Sequence, residues 1–320
     1  MDLDDEQRRQ LINARQFYET WREISAALSQ MPGGMYWRVI HSKEYLYRYV
    51  TTAGIKRATS LGPKTPEAEA KYQQFTETKD ELEDRLEAIE ERLNRLAPVL
   101  RALNLPAIDS TAGKILRALD QVNFLGTKVL VVGTYAMSAY EIVAQNRFAT
   151  GMDTTEDLDF TLTAEPASAD PDLPRQLLLA LKQVDSSFLV SRTSPKTIVN
   201  KAGYRVDLLM SDEAAAAMRS AKPWKPEALP GQEWLRLGPP ARALLIDYTG
   251  WPVPITAPDP RYFALHKLWL SGRADRDRDK SIKDRKQGEV LLGAVKQYMP
   301  HYSIDEQFIA GLPPPLKAQL

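Results

Sequence analysis

Three short apolar runs constrain this chain more than any other feature: KVLVVG at 128–133, TTEDLDFTLT at 154–163 and GYRVDLLM at 203–210. Each has the length and residue type of a strand, and helix-forming stretches separate them. Two of the three carry carboxylates where burial should exclude them. Asp157 and Asp159 are two residues apart, so in an extended chain both project from one face. Like charges in that arrangement repel. Asp207 interrupts RVDLLM, where a lone carboxylate is costly to bury. A divalent cation held by all three would turn repulsion into attraction.

The rest of the sequence limits which cation and which chemistry. There is no cysteine, which excludes disulfides, thiolate zinc sites and a cysteine nucleophile. The three histidines (His41, His266, His301) are too scattered for a histidine-rich metal site. Oxygen-only ligands suit magnesium or manganese. Lysine plus arginine equals aspartate plus glutamate at 42 each, so net charge names no partner. No apolar run is long enough for a membrane helix and the acidic N-terminus is unlike a secretory signal, so the expected location is the cytoplasm.

The pattern predicts an α+β protein: a small mixed-sheet core with flanking helices, an N-terminal region of helix, meander and long helix, and a C-terminal helical region. The expected division is 1–105, 106–257 and 258–320. In the first part, residues 4–30 carry Leu11, Ile12, Phe17, Trp21, Ile24 and Leu28 at helical spacing. Residues 35–67 then read as a small antiparallel meander with turns near Ser42 and Gly54. Thr65-Pro66-Glu67 starts a long helix with a cap, a proline and an early acid. Tyr72, Phe75, Leu82, Leu86, Ile89, Leu93 and Leu96 form its apolar seam, interrupted by Lys79 and ended by Pro98. An arm packed on its own chain is favoured; a homodimer through 72–96 is the sharper alternative. Asp109–Ser110 caps a further helix.

Gly133–Thr134 sits at a strand-to-helix junction, where backbone amides and a hydroxyl can receive phosphate. Together with Asp157-Leu158-Asp159 and Asp207, this order resembles the polymerase-beta-type nucleotidyltransferase superfamily over roughly residues 125–212. Looser similarity to a bacterial nucleotidyltransferase-like family extends through GGMYWRVIHSKEYLYRY, SLGPKTPEAEA and PRYFALHKLWLSGR. Threonine replaces the more usual serine, and the gap from Gly133 to Asp157 is longer than common. The resemblance implies transfer of a nucleoside monophosphate from a nucleoside triphosphate to an acceptor hydroxyl, assisted by two magnesium or manganese ions about 4 Å apart. Asp157 and Asp159 would bridge the ions, and Asp207 would hold the one nearer the acceptor. Gly133 and Thr134 would position the triphosphate, with Lys267 and, less directly, Arg273 or Lys280 neutralising charge. Asp153 and Glu156 read as loop residues that tune the site, and His266 as a packed histidine.

The acceptor stays open among an RNA end, a protein hydroxyl and a small molecule. A sugar-nucleotide-dependent glycosyltransferase would use Asp-x-Asp but has no place for Gly133–Thr134 or Asp207. A non-catalytic alternative takes Trp37, Arg38, Tyr45, Tyr47, Arg48, Lys56 and Arg57 as a nucleic-acid-binding face. Packing of those aromatics on the long helix is the competing account.

Overall fold

Thr65 opens the longest helix as its sequence suggests. Its hydroxyl accepts from the Ala68 amide at 3.2 Å, and Pro66 is the first helical residue. The computed structural model describes residues 2–52, 55–148, 157–163, 170–217, 224 and 226–320, and is mixed α and β. Asp153, Glu156 and the turn glycine Gly54 lie outside the described residues. Among the described residues, no helix is long and apolar enough to cross a membrane. The chain forms two compact units, Ile12–Leu96 and Met1–Leu11 with Ala97–Leu320.

The first unit holds most of α1 (Asp5–Ser29) and α2 (Pro66–Ala102), with the meander β1 (Gly34–Ile40), β2 (Lys43–Thr52) and β3 (Ile55–Pro63) between them. The strands pair antiparallel in chain order. On α2 the predicted seam faces inward: Trp37 of β1 packs against Tyr72, and the Arg48 guanidinium sits 4.8 Å over Phe75. Further along, Trp21 of α1 donates to Glu90 at 3.1 Å. Lys79, the break in the seam, donates to the Gly33 carbonyl at 2.6 Å and lies 3.5 Å from the Glu83 carboxylate, so its charge is paired there. The sheet thus covers the start of the seam at Tyr72 and Phe75, and α1 reaches the helix at Glu90.

Two expectations need correction. Ile12 is 58% exposed: the buried side of α1 is Ala14, Tyr18 and Ile24, and Ile12 falls off that face. Pro98 does not end the seam: α2 runs on to Ala102, and Leu100 continues its buried side. Proline removes one helical donor, but Ala97 and Leu100 are buried on this turn, and Gly250 sits so close to the Ala97 carbonyl that no side chain fits there. Packing of the last turn outweighs the lost bond.

The second unit begins with β4 (Ala107–Ile108) and α3 (Ser110–Gln121), whose cap Asp109 accepts from Thr111 and Ala112 amides at 2.7 and 3.2 Å. There follow β5 (Val129–Val132), α4 (Gly133–Ala144), β6 (Asp157–Leu162), α5 (Leu173–Val184), β7 (Leu189–Val190), β8 (Thr197–Val199), β9 (Arg205–Met210), α6 (Asp212–Ala217) and β10 (Glu227–Ala228). The main sheet runs β5-β6-β9-β8-β7, with β10 pairing the end of β9. β6 and β9 are parallel; β5 and β8 run antiparallel to their neighbours. A smaller sheet, β12-β11-β4, is made by β11 (Ala241–Asp247) and β12 (Pro252–Ala257) with β4. The chain closes with α7 (Pro260–Ser271), α8 (Arg278–Tyr298), α9 (Glu306–Gly311) and α10 (Pro314–Lys317).

Strand alternation explains where the acids go. Leu158, Phe160, Val206, Leu208 and Met210 are essentially fully buried on one face of β6 and β9. The intervening residues, Asp157, Asp159, Arg205 and Asp207, therefore share the other face. A one-residue slip would put the carboxylates into the core, so the pattern leaves one register.

Candidate active site

The site starts from a backbone requirement. Gly133 has φ +68, and a Cβ there would overlap Oδ2 of Asp159 and lie 3.3 Å from its Cγ. Val132 pairs with Asp159 across β5 and β6, so the turn into α4 passes directly beside this carboxylate. Only glycine satisfies both the left-handed backbone and the close approach.

Asp159 is in register with Asp207 on β9, and Asp207 is in register with Thr197 on β8. Burial first, then the charges of Asp207 and Asp157, push the Asp159 carboxyl up to about 6, against the pull of Lys267 and Lys280. Burial also raises Asp207, opposed by a hydrogen bond from Thr197 and the charge of Arg205. Oδ1 of Asp207 is buried and has no hydrogen-bond partner. Asp157 differs from the other two: it is more exposed and lies 3.6 Å from the Arg205 guanidinium.

Beside Asp159 a cleft of about 220 Å³ opens between the sheet and α7. Gly133, Asp159, Lys267 and Arg273 all line it, together with Gln232, His266 and Arg276. The Lys267 side chain is only 12% exposed, so it is not a solvated helix lysine. It pairs with Asp284 of α8 at 2.7 Å, and Arg276 holds the other oxygen of that carboxylate at 2.6 Å. Arg273 pairs with Asp275 at 2.6 Å and lies over the Trp269 ring at 4.9 Å. Lys280 is exposed in the first turn of α8. Thr134 does not stand alone: its hydroxyl accepts from Lys283 Nζ at 3.0 Å. His266 is packed, as expected, near Trp234 and Trp269, and burial lowers its pKa to about 3, so it is neutral.

A family model described as nucleotidyltransferase matches residues 110–309. The chain belongs to the nucleotidyltransferase family. The matched stretch runs from the first residue of α3 into α9, so it takes in the glycine turn, all three acids and the cationic wall of this nucleotidyltransferase. Neither the curated proteins nor the solved structures provide a match to the chain. The family match favours nucleotidyl transfer over sugar-nucleotide chemistry.

Whether the acids suit a hard cation can be judged from their own state. Two adjacent carboxylates with raised pKa values, one carrying a buried unpaired oxygen, form a hard donor pair that lacks positive charge. Among the described residues no group of three or more acidic, histidine or cysteine side chains is set to hold a metal ion. Asp159 and Asp207 would be the ligands from this pair, and the remaining oxygens of a cation's shell would come from elsewhere.

Sequence reasoning missed Arg276, Lys283, Asp284 and Gln232. On α8 the reason is a burial that the sequence does not announce. Asp284 and Gln287 are nearly fully buried three residues apart, so the helix turns polar residues inward where leucines would be ordinary.

Proposed function

We propose that this nucleotidyltransferase binds a nucleoside triphosphate in the cleft beside Asp159 and transfers its nucleoside monophosphate to an acceptor hydroxyl. The observation that supports this best is the in-register pair Asp159 and Asp207 next to the glycine turn that opens α4. Amides at the start of α4 face the phosphates with the positive end of the helix. Lys283, on the Thr134 hydroxyl, and the Lys267, Arg273 and Arg276 wall offset the charge of the triphosphate and of the departing pyrophosphate. Asp159 and Asp207 would hold magnesium or manganese, which when bound polarises the α-phosphate and lowers the pKa of the acceptor hydroxyl. Asp207 Oδ1, which has no hydrogen-bond partner, would accept that hydroxyl proton. The acceptor oxygen bonds to the α-phosphorus as the bond to the β-phosphate oxygen breaks, and pyrophosphate leaves with the electron pair.

The distribution of basic residues supports a discrete acceptor. They concentrate in the 36–57 sheet and the 267–286 helical turn, with no excess of positive charge over the whole chain for processive polymerisation. One or a few nucleotides are added to a discrete acceptor, with a structured RNA end ahead of a protein hydroxyl. The test is incubation with each α-labelled nucleoside triphosphate, magnesium or manganese and a cell lysate, followed by separation of RNA, protein and small molecules. Label in none of the three fractions, with any nucleotide or either metal, rejects the reading.

A further inference from the structure

The meander of the Ile12–Leu96 unit has two different faces. Trp37, Leu46 and Arg48 point to α2, where Leu46 is fully buried. Register places the next residues of each strand on the opposite face: Tyr36 pairs with Tyr47 and Arg38 with Tyr45, while Tyr49 pairs with Ala58 and Thr51 with Lys56. Four tyrosines, Arg38 and Lys56 therefore share one side of the sheet, and none of the paired positions there is acidic. The competing accounts of this segment each describe one side: Trp37 packs on the helix, and the tyrosines do not.

The aromatics on this side already behave as a stacking surface. Tyr36 and Tyr47 are stacked with centroids 5.7 Å apart, and Tyr49 is 6.1 Å from Tyr36. Lys56 Nζ lies 3.7 Å from the Tyr49 centroid and 5.6 Å from that of Tyr36, and Arg38 lies 5.8 Å from Tyr47. The tyrosines are partly exposed, and Lys56 and Arg38 are exposed. A ring face beside a fixed cation and no carboxylate matches an unpaired base followed by its phosphate. An acidic or apolar protein segment would use only half of that chemistry.

We propose that this face binds single-stranded nucleic acid, with successive unpaired bases on Tyr36, Tyr47 and Tyr49 and the backbone phosphates on Arg38 and Lys56. The face is on the unit outside the family match, and the inference does not depend on catalysis at Asp159.

The experiment is fluorescence anisotropy of the full chain with a labelled RNA of about 12 nucleotides, free or annealed to its complement, without nucleotide or divalent metal. Binding of the single strand should weaken roughly tenfold between about 50 and 200 mM salt, as expected for two or three phosphate contacts. The Tyr47→Ala, Tyr49→Ala double variant should lose about tenfold or more, and Lys56→Ala several-fold. Tyr47→Phe keeps the ring and should bind as the parent does. Arg57→Ala, on the other face of β3, should do the same. Lys56 is exposed, so its variant reports on binding even where the tyrosine pair disturbs folding. The proposal is overturned if the single strand does not bind, if the duplex binds as tightly, or if Lys56→Ala and Arg57→Ala are indistinguishable. Any of these assigns the face to another class of partner.

Discussion

Asp159 of β6 lies directly opposite Asp207 of β9, and the parallel register turns both carboxylates to the same face. A folded protein rarely keeps such a pair without a cation between them. Here Lys267, whose charge acts on Asp159, is already bound to Asp284, and the pair keeps much of its repulsion. That places a cost on the fold which its function would remove.

Asp159→Asn should stabilise the metal-free protein at neutral pH. The folded-state pKa is raised from the unfolded value of 3.8 to about 6. Between those values the folded state holds a proton that the unfolded state releases, so stability is lost as pH rises from 4 to 7. The difference is at most about 3 kcal/mol and smaller where water screens the group. Urea unfolding of parent and variant at pH 4.5 and 7.5 checks it: the parent should lose stability relative to the variant at the higher pH. A strongly destabilised variant would mean that Asp159 is structurally paired.

Gly133→Ala combines a strained backbone with an overlap on Asp159 Oδ2. We expect a loss of about 1–3 kcal/mol in thermal stability and at least tenfold weaker nucleotide binding, since the turn that presents the α4 amides must shift. Melting curves and calorimetric nucleotide titration read the two effects separately. Unchanged affinity would remove the turn from the nucleotide site.

Asp207→Asn should abolish transfer while leaving the fold intact, because it removes the proposed base and metal ligand and replaces a charge that burial disfavours with a neutral side chain of the same shape. Nucleotide binding without metal should change little, as Asp207 is not on the cleft wall. Manganese affinity in the presence of a non-hydrolysable triphosphate should fall about tenfold or more. Equal manganese binding by parent and variant would separate this carboxylate from the metal.

Asp284→Ala leaves Lys267 and Arg276 facing each other without their shared carboxylate. Breaking one side of a buried ion cluster costs about 3–5 kcal/mol, so the variant should melt well below the parent. Added triphosphate should recover more of its stability than it adds to the parent, because phosphate oxygens replace the missing acid. A ligand-induced shift no larger than the parent's would show that these cations do not reach the nucleotide.

Much of this arrangement was legible in the sequence, and its limits have physical causes. Alternation within DLDFTLT and RVDLLM is enough to put Asp157, Asp159 and Asp207 on one face, since the hydrophobic partners allow one register. Local signals also placed the starts of α2 and α3, where Thr65 and Asp109 cap through contacts two or three residues away. The Lys267–Asp284–Arg276 cluster was not legible, because it joins residues 17 and 8 apart through the packing of α7 against α8. Similarly, Asp157 reads as the equal of Asp159 in sequence, and only the cross-strand neighbour Arg205 distinguishes them. Pro98 misled because a helix-breaking propensity is a local quantity, whereas burial of Ala97 and Leu100 is not.

The Asp284 carboxylate has a further consequence for how this cleft responds to its medium. Exposed cations that bind phosphate first shed ions drawn from solution, and their affinity falls as salt rises. Lys267 and Arg276 carry their counter-ion covalently, as part of α8. When a phosphate approaches, the exchange is internal and releases little to the solvent. Nucleotide affinity in this protein should therefore be buffered against ionic strength, with Lys280 and Lys283 supplying most of whatever salt dependence remains.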